Sequence, residues 1–342
     1  MKVKLIIFLA VSGIFICSGV NMRCINGKQT DKGSPVLKKI AVIDLPGKAG
    51  KRFDYLTIDY RHHYLLSAHL GADVTYVIDM NTDKLVKMIG DTPGAEGIEY
   101  AADLNKVYTS NWTGHTIGVI DMNKMEVVKK IPAINKPDGN TYAAPFKKLY
   151  VSDERGKTLL VVDTRSDEVI KRIEFKSETG MPQYDSVSRK VYLNLQDDNL
   201  FVVIDPQTDS IIGRYPVGEC KGNHGMALDE EHHLAFLDCE NNDLLTVFNL
   251  DSHAPVAYLK LASGGDVVKY DPGLKRVYVA CYSGAISVFH EDDPAHFTKL
   301  PDFPVQKKVH SLAVDKITHR VYAPEQEEDG KEVSRMVVYD AL

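Results

Sequence analysis

Gly97-Ile98-Glu99-Tyr100-Ala101-Ala102-Asp103-Leu104-Asn105-Lys106-Val107-Tyr108 reads as a short apolar run, a polar turn and a second run ending in an aromatic residue. The pattern returns at residues 139–150, 181–192, 225–236 and 267–278, with more divergent copies at 55–66 and 311–322. The seven copies are spaced 42, 42, 42, 44, 42 and 44 residues apart. Each continues into a β-branched run closed by Asp or a substitute, from Val77-Ile78-Asp79 and Val119-Ile120-Asp121 to Val288-Phe289-His290 and Val338-Tyr339-Asp340. A third run follows six of the seven, as at 85–89 and 127–131. Short Val, Ile and Tyr runs broken by Asp, Asn and Gly turns are strands. Four strands in about 42 residues make one propeller blade.

The spacing therefore predicts an all-β, seven-bladed β-propeller of four-stranded blades over residues 36–342. The last copy ends after its third strand. The outer-strand pattern missing there is found at 37–42, so the N-terminal strand is expected to complete the last blade and hide the sheet edges at the seam. No segment sustains a 3.6-residue period, which excludes a mixed α/β fold.

Composition sets the class. Of 342 residues, 44% are hydrophobic and 26% charged, an ordinary globular balance that excludes disorder, collagen and coiled coil. Lys2 and Lys4 precede an apolar run at 5–16 and small residues at Cys17-Ser18-Gly19. That is the pattern of a cleaved export signal over 1–19, too short for a spanning helix. Lipid anchoring through Cys17 competes, but bulky Ile16 disfavours it. A polar linker at 20–35 follows. The expected location is periplasmic or secreted, with no transmembrane helix in the mature chain and a monomeric state. Loss of the two leader lysines takes the formal charge from −6 to −8. An acidic chain without a basic tract is a poor nucleic-acid binder.

The repeat G-I-x7-K-V-Y, the run V-I-D and an outer V-x3-I-P strand resemble the YVTN/YncE family of extracytoplasmic seven-bladed propellers, over about residues 36–340. Arg52-Phe53-Asp54-Tyr55 with Ala68-His69-Leu70-Gly71, and His290 to Pro294 with His310 to Ala313, are similar to one branch of it. The resemblance implies the fold, and a binding function more than a named activity.

The residue before each inner strand forms a column: Asp54, Glu96, Asp138, Gly180, His224, Asp266 and His310. The ends of the second strands form another: His69, Asn111, Asp153, Leu195, Cys239, Cys281 and Glu325. Propeller topology sends both to one face, here called the top, where they ring the channel mouth. Two readings stand. Asp, Asn and His favour tight strand starts because their side chains bond nearby amides. Alternatively Asp54, His69, Glu96, Asp138, His224, Asp266 and His310 bind a ligand, with Asp54, His224, Asp266 and His310 holding a divalent metal ion, for which mixed carboxylates and imidazoles suit Mg, Mn, Fe or Zn. The imidazoles at 224 and 310 are the more informative, because turns prefer Asp or Asn. The pairs His62-His63 and His232-His233, with His319, fall in bottom-face turns and read as solvated. Residues 325–330 read as a lengthened top loop.

Cys220 lies just before the fifth inner strand and Cys239 ends the next strand, on the same face, so a Cys220–Cys239 disulfide is expected. Cys281, one blade on, is the competing partner, and Cys24 is left free. No CxxC pair, G-x-S-x-G, H-E-x-x-H, P-loop, haem or dinucleotide motif occurs. The reading is an exported propeller that binds a small molecule, metal ion or partner protein on its top face. A metal-dependent hydrolase or lyase at the channel mouth is the alternative, with His69 or Glu96 as general base. A lactonase is a further one, disfavoured by the acidic rim and by export.

Overall fold

Seven antiparallel sheets, six of four strands and one whose outer strand is split in two, make up the described chain, each begun by one sequence repeat. The computed structural model describes residues 35–133 and 135–342. The expected export signal and nearly all of the linker, with Cys17 and Cys24, lie outside the described residues. No helix among the described residues is long and apolar enough to cross a membrane.

The ring closes as the repeat count requires. The strand Leu37–Asp44 pairs antiparallel with Lys331–Ala341, from Leu37 opposite Ala341 to Asp44 opposite Arg335. It is the outer strand of blade 7, whose other strands are Ala313–Val314, Arg320–Glu328 and Lys331–Ala341. Blade 6 is the irregular one. Its long third strand, Ala285–Asp293, is covered by two short pieces, His296–Lys299 and Phe303–Pro304.

Local chemistry explains the first hairpin of each blade. Asp59, Asp185, Asp229 and Asp271 accept from the backbone amides two and three residues further on, which fixes the turn before any tertiary contact forms. The residue before each second strand takes a left-handed backbone: φ is 56° at His63, 49° at Asn105, 55° at Lys147, 58° at Arg189, 53° at His233, 51° at Lys275 and 62° at His319. The bottom-face histidines are thereby drawn into turn hydrogen bonds. His62 and His232 lie 2.6 and 2.7 Å from Asp59 and Asp229, and His319 lies 2.8 Å from Asp271 of the preceding blade.

The repeat glycine is a packing residue. A Cβ at Gly97 would sit 2.1 Å from the Asp138 carbonyl oxygen, and one at Gly225 2.0 Å from that of Asp266. At these two positions the neighbouring inner strand approaches too closely for a side chain. The Lys-(Val/Leu)-Tyr end of the repeat joins blades. Tyr108 donates to Asp167 of the next blade (2.7 Å) and Lys106 pairs with the same carboxylate (2.6 Å). Tyr150, Lys148 and Asp209 repeat the arrangement one blade on.

The outer strands carry a shared device. In six blades the register against the third strand slips by one residue, leaving Ile40, Val86, Val128, Ile170, Ile212 or Val256 as the extra one. All six extra side chains are exposed. A bulge on an edge strand bends and twists it away from edge-to-edge pairing.

The stretch at 325–330 is not a loop. Strands run through Glu328 and resume at Lys331, joined by a two-residue Asp329-Gly330 turn with φ of 50° and 80°. Asp-Gly suits the positive φ that such a turn demands at both positions. Glu325 is buried in this hairpin against Arg335 Nε (3.0 Å).

Candidate functional site at the channel mouth

The column of inner-strand starts does converge at one end of the ring. Asp54, Glu96, Asp138, His224 and His310 are all buried, and Asp266 is partly so. Gly180 supplies no side chain in blade 4. Across that gap His224 Nε2 reaches to 3.5 Å from Asp138 Oδ2, while its Nδ1 lies 3.0 Å from Glu240 Oε1 and 3.5 Å from Asp266 Oδ1. Burial works against a charge on His224, but Glu240, Asp138 and Asp266 outweigh it and hold its pKa well above the ordinary histidine value. It is an imidazolium at neutral pH.

Two cations complete the rim. Arg52 places NH2 at 2.9 Å and Nε at 3.1 Å from Asp54 Oδ2, and the same Nε lies 3.1 Å from His310 Nε2. His310 Nδ1 faces the Lys308 carbonyl oxygen at 3.3 Å. The neutral tautomer satisfies both contacts, with Nδ1 donating and Nε2 accepting, while Asp54, 3.7 Å from Nε2, and Asp266 raise the His310 pKa against burial. Burial raises the Asp54 pKa, yet Arg52 leads the interactions that hold it below the usual carboxylate range. Lys136 Nζ pairs with Glu154 and stands 3.6 Å from both Glu96 Oε1 and Asp138 Oδ2. Its loop is fixed by Asp153, which accepts from the amides of Asn135 (2.8 Å) and Lys136 (2.7 Å). Trp112 lies under this corner, 5.1 Å from Lys136 Nζ and 5.2 Å from Arg155 Cζ.

Glu96 differs from its neighbours. Burial, then Asp138 and Asp54, push its carboxyl up to about 10, so it is neutral and can donate. Neither of its oxygens has a hydrogen-bond partner among the described residues, and the buried Tyr55 hydroxyl has none either.

His69 sits elsewhere. It is fully buried, stacked on Phe53 at 3.7 Å, with Nδ1 at 3.1 Å from the Tyr76 hydroxyl and Nε2 at 3.1 Å from the Lys51 carbonyl oxygen. Burial pushes its pKa down to about 4.

The four residues expected to share one ion fall into two groups. Asp54 and His310 flank Arg52, while His224 and Asp266 join Glu240, with ligand atoms within 4.8 Å of one another. Asp138, Glu154 and His224 make a second such set, and Asp229, His232 and Glu291 a third on the opposite face.

Arg52, Lys136, Glu154 and Glu240 escape a reading confined to the two columns. They stand two residues before the first column or one residue after the second. All four lie just outside the strands, in the segments that enter or leave them, where strand alternation no longer sets the direction of a side chain.

The expected disulfide is present: Cys220 and Cys239 are bonded, with Cα atoms 5.3 Å apart. Cys281 is buried and free, its thiol pushed up to about 12 by burial.

Comparison with known proteins agrees on the fold. Kuenenia stuttgartiensis hydrazine synthase is similar, with a TM-score of 0.73 at 13% identity, over 87% of this chain and 97% of that one. The RRP9 WD40 repeats give 0.75 at 9% identity, covering 90% and 100%. U3-55K gives 0.74 at 10%, covering 88% and 98%. At such identities the likeness shows architecture alone. No curated protein matches the chain. The chain is a seven-bladed propeller whose residues 48–189 match the family model of the YNCE-like beta-propellers.

Proposed function

We propose that the chain is an exported binding propeller whose channel-mouth rim takes a small polar molecule. One observation carries this reading: the rim buries polar atoms without a hydrogen bond among the described residues, both Glu96 oxygens and the Tyr55 hydroxyl, Lys136 Nζ coming no nearer Glu96 Oε1 than 3.6 Å. Such an atom costs about 1–3 kcal/mol unless something meets it. Around these atoms Arg52, Lys136 and His224 alternate with Asp54, Asp138, Glu240 and Asp266. A ligand bearing both donors and acceptors fits that lining better than a simple anion or cation. His310 contributes by orienting Arg52. Export is supported by the Lys2, Lys4 and 5–16 pattern and by the disulfide, with 1–19 as signal, 20–35 as linker and a periplasmic or secreted location.

The test is a thermal-shift screen of small polar compounds on the mature chain, repeated on folded Glu96→Leu and Arg52→Met variants. Stabilising compounds should lose their effect in both. Hits that persist in both would remove the rim as the site.

A second reading places a divalent ion at His224, Glu240 and Asp266, favoured by their converging ligand atoms, and with it hydrolase or lyase chemistry. Stoichiometric metal in the purified chain, lost from folded His224→Ala/Glu240→Ala, would support it. No retained metal after equilibration with a divalent mixture would discard it.

A further inference from the structure

Beyond the rim, the channel opens toward the opposite face into a cavity of about 360 Å³, within the size range of small-molecule sites. Of the residues assigned to the rim, Tyr55 alone also lines this cavity. Tyr55, Ile98, Met181 and Met226 line its inner end, and the later residues of the inner strands line the rest.

Six charged side chains line this space: Asp229, Glu230, Glu231 and Lys316, and, from two blades that are not neighbours, Glu99 and Lys269. Glu99 of blade 2 and Lys269 of blade 6 stand at the same repeat position, three residues past Glu96 and Asp266. Thr57, Gln183 and Ala227 hold that position in other blades lining the cavity. Neither Glu99 nor Lys269 has an ion-pair partner within 4.0 Å among the described residues; Glu99 Oε1 only accepts a long bond from the Tyr142 amide (3.4 Å). Burial pushes the Glu99 carboxyl up to about 7 and the Lys269 ammonium down to about 8, in each case against the attraction of the other.

We propose that this cavity binds a zwitterion of the apolar α-amino-acid class, its ammonium on Glu99, its carboxylate on Lys269 and its side chain against Tyr55, Met181 and Met226. Both groups are half-buried and attract one another without closing to an ion pair, an arrangement that a ligand carrying both charges can complete from within the cavity. A ligand with a single charge would leave one of the two unmatched. A zwitterion meets both, and the thioether side chains adapt to apolar groups of different shape.

Isothermal titration of the mature chain near neutral pH with leucine, methionine and phenylalanine tests this. Isoamylamine and 4-methylpentanoate serve as probes that carry one charge each. The expected result is saturable 1:1 binding of at least one amino acid, with either single-charge probe weaker by about 10-fold or more. Glu99→Gln and Lys269→Met should each cause a comparable loss, while the rim variant Glu96→Leu binds as the native chain does. On the native chain, the bound amino acid should also slow acetylation of Lys269 by acetic anhydride, read by peptide mass spectrometry, which needs no variant to fold. No binding at millimolar amino acid overturns the proposal, as do equal affinity for a single-charge probe and unprotected Lys269. Loss of binding in Glu96→Leu with retention in Glu99→Gln would instead move the site to the rim.

Discussion

His224 Nε2 and Asp138 Oδ2 stand 3.5 Å apart although a whole blade separates their strands. The contact exists because blade 4 offers Gly180 where its neighbours offer side chains. A Cβ at Gly180 would lie 2.9 Å from the His224 carbonyl oxygen and 3.0 Å from its Cα. Gly180→Leu should therefore displace the imidazole and cost about 1–3 kcal/mol by overpacking. Urea unfolding gives the stability, and NMR titration of His224 should show its pKa falling toward the ordinary value. An unchanged histidine titration would mean the pair does not depend on the gap.

Glu96 should make stability depend on pH. Its carboxyl titrates near 10 in the folded chain and near 4.3 when unfolded. Between those values the folded state keeps a proton that the unfolded state gives up, so this group lowers stability as pH rises. Glu96→Gln keeps the shape and removes the titration. The variant should gain on the native chain by up to about 1.4 kcal/mol per pH unit across that window. Denaturant midpoints at pH 5 and pH 8 would show it; a gap that does not widen would refute the assignment.

Asp238 is fully buried, with neither carboxylate oxygen hydrogen-bonded among the described residues. Burial, then Asp266 and Glu240, push its pKa well above the usual value. One blade earlier the same position is Asn194, whose Nδ2 donates to the His224 and Gly225 carbonyl oxygens. A neutral Asp238 can play that donor's part. Asp238→Asn should thus be neutral or stabilising at pH 8, where Asp238→Ala should destabilise by about 1–3 kcal/mol. Calorimetric melting of the two variants distinguishes donor from passive filler.

Breaking the Cys220–Cys239 bond should cost about 3 kcal/mol, as expected for its sequence separation of 19 residues. Cys220→Ser/Cys239→Ser should show this in urea unfolding. Cys281 should resist alkylation in the native chain and react once it is unfolded. Fast labelling of native Cys281 would contradict its burial.

Asp167 joins two blades by accepting from Tyr108 while pairing with Lys106. Asp167→Ala strands the phenol hydroxyl and should cost about 1–3 kcal/mol. Tyr108→Phe on that background should cost less than it does alone. A double-mutant cycle without coupling would mean the contact carries no energy.

The fold was legible because its signal repeats. The 42-residue period, the β-branched runs and the orphan outer strand at 37–42 each appear several times or complete a pattern, so one divergent copy does not hide them. The site was legible only as an address. Column positions brought Asp54, Glu96, Asp138, His224, Asp266 and His310 to one mouth, but a period says nothing of where side chains turn. His69 shares its column's position and instead stacks on Phe53. Arg52 and Lys136 lie two residues off the column and escaped a search for carboxylates and imidazoles alone, though they decide the rim's charge. The hairpin at 325–330 was obscured by its charge run, whose polar side chains suggest a loop while Asp329-Gly330 supports a tight turn.

The pairing of Leu37 with Ala341 has a kinetic consequence. Six blades draw all their strands from a contiguous stretch of chain and can mature in order as that stretch emerges. The seventh cannot. Its outer strand is among the first parts of the described chain to be made and must wait for the last. This long-range closure should be the slow step of folding. Until it occurs, the third strand of blade 7 presents bare backbone donors and acceptors, which makes the nearly finished ring the species most exposed to aggregation or to capture by a chaperone.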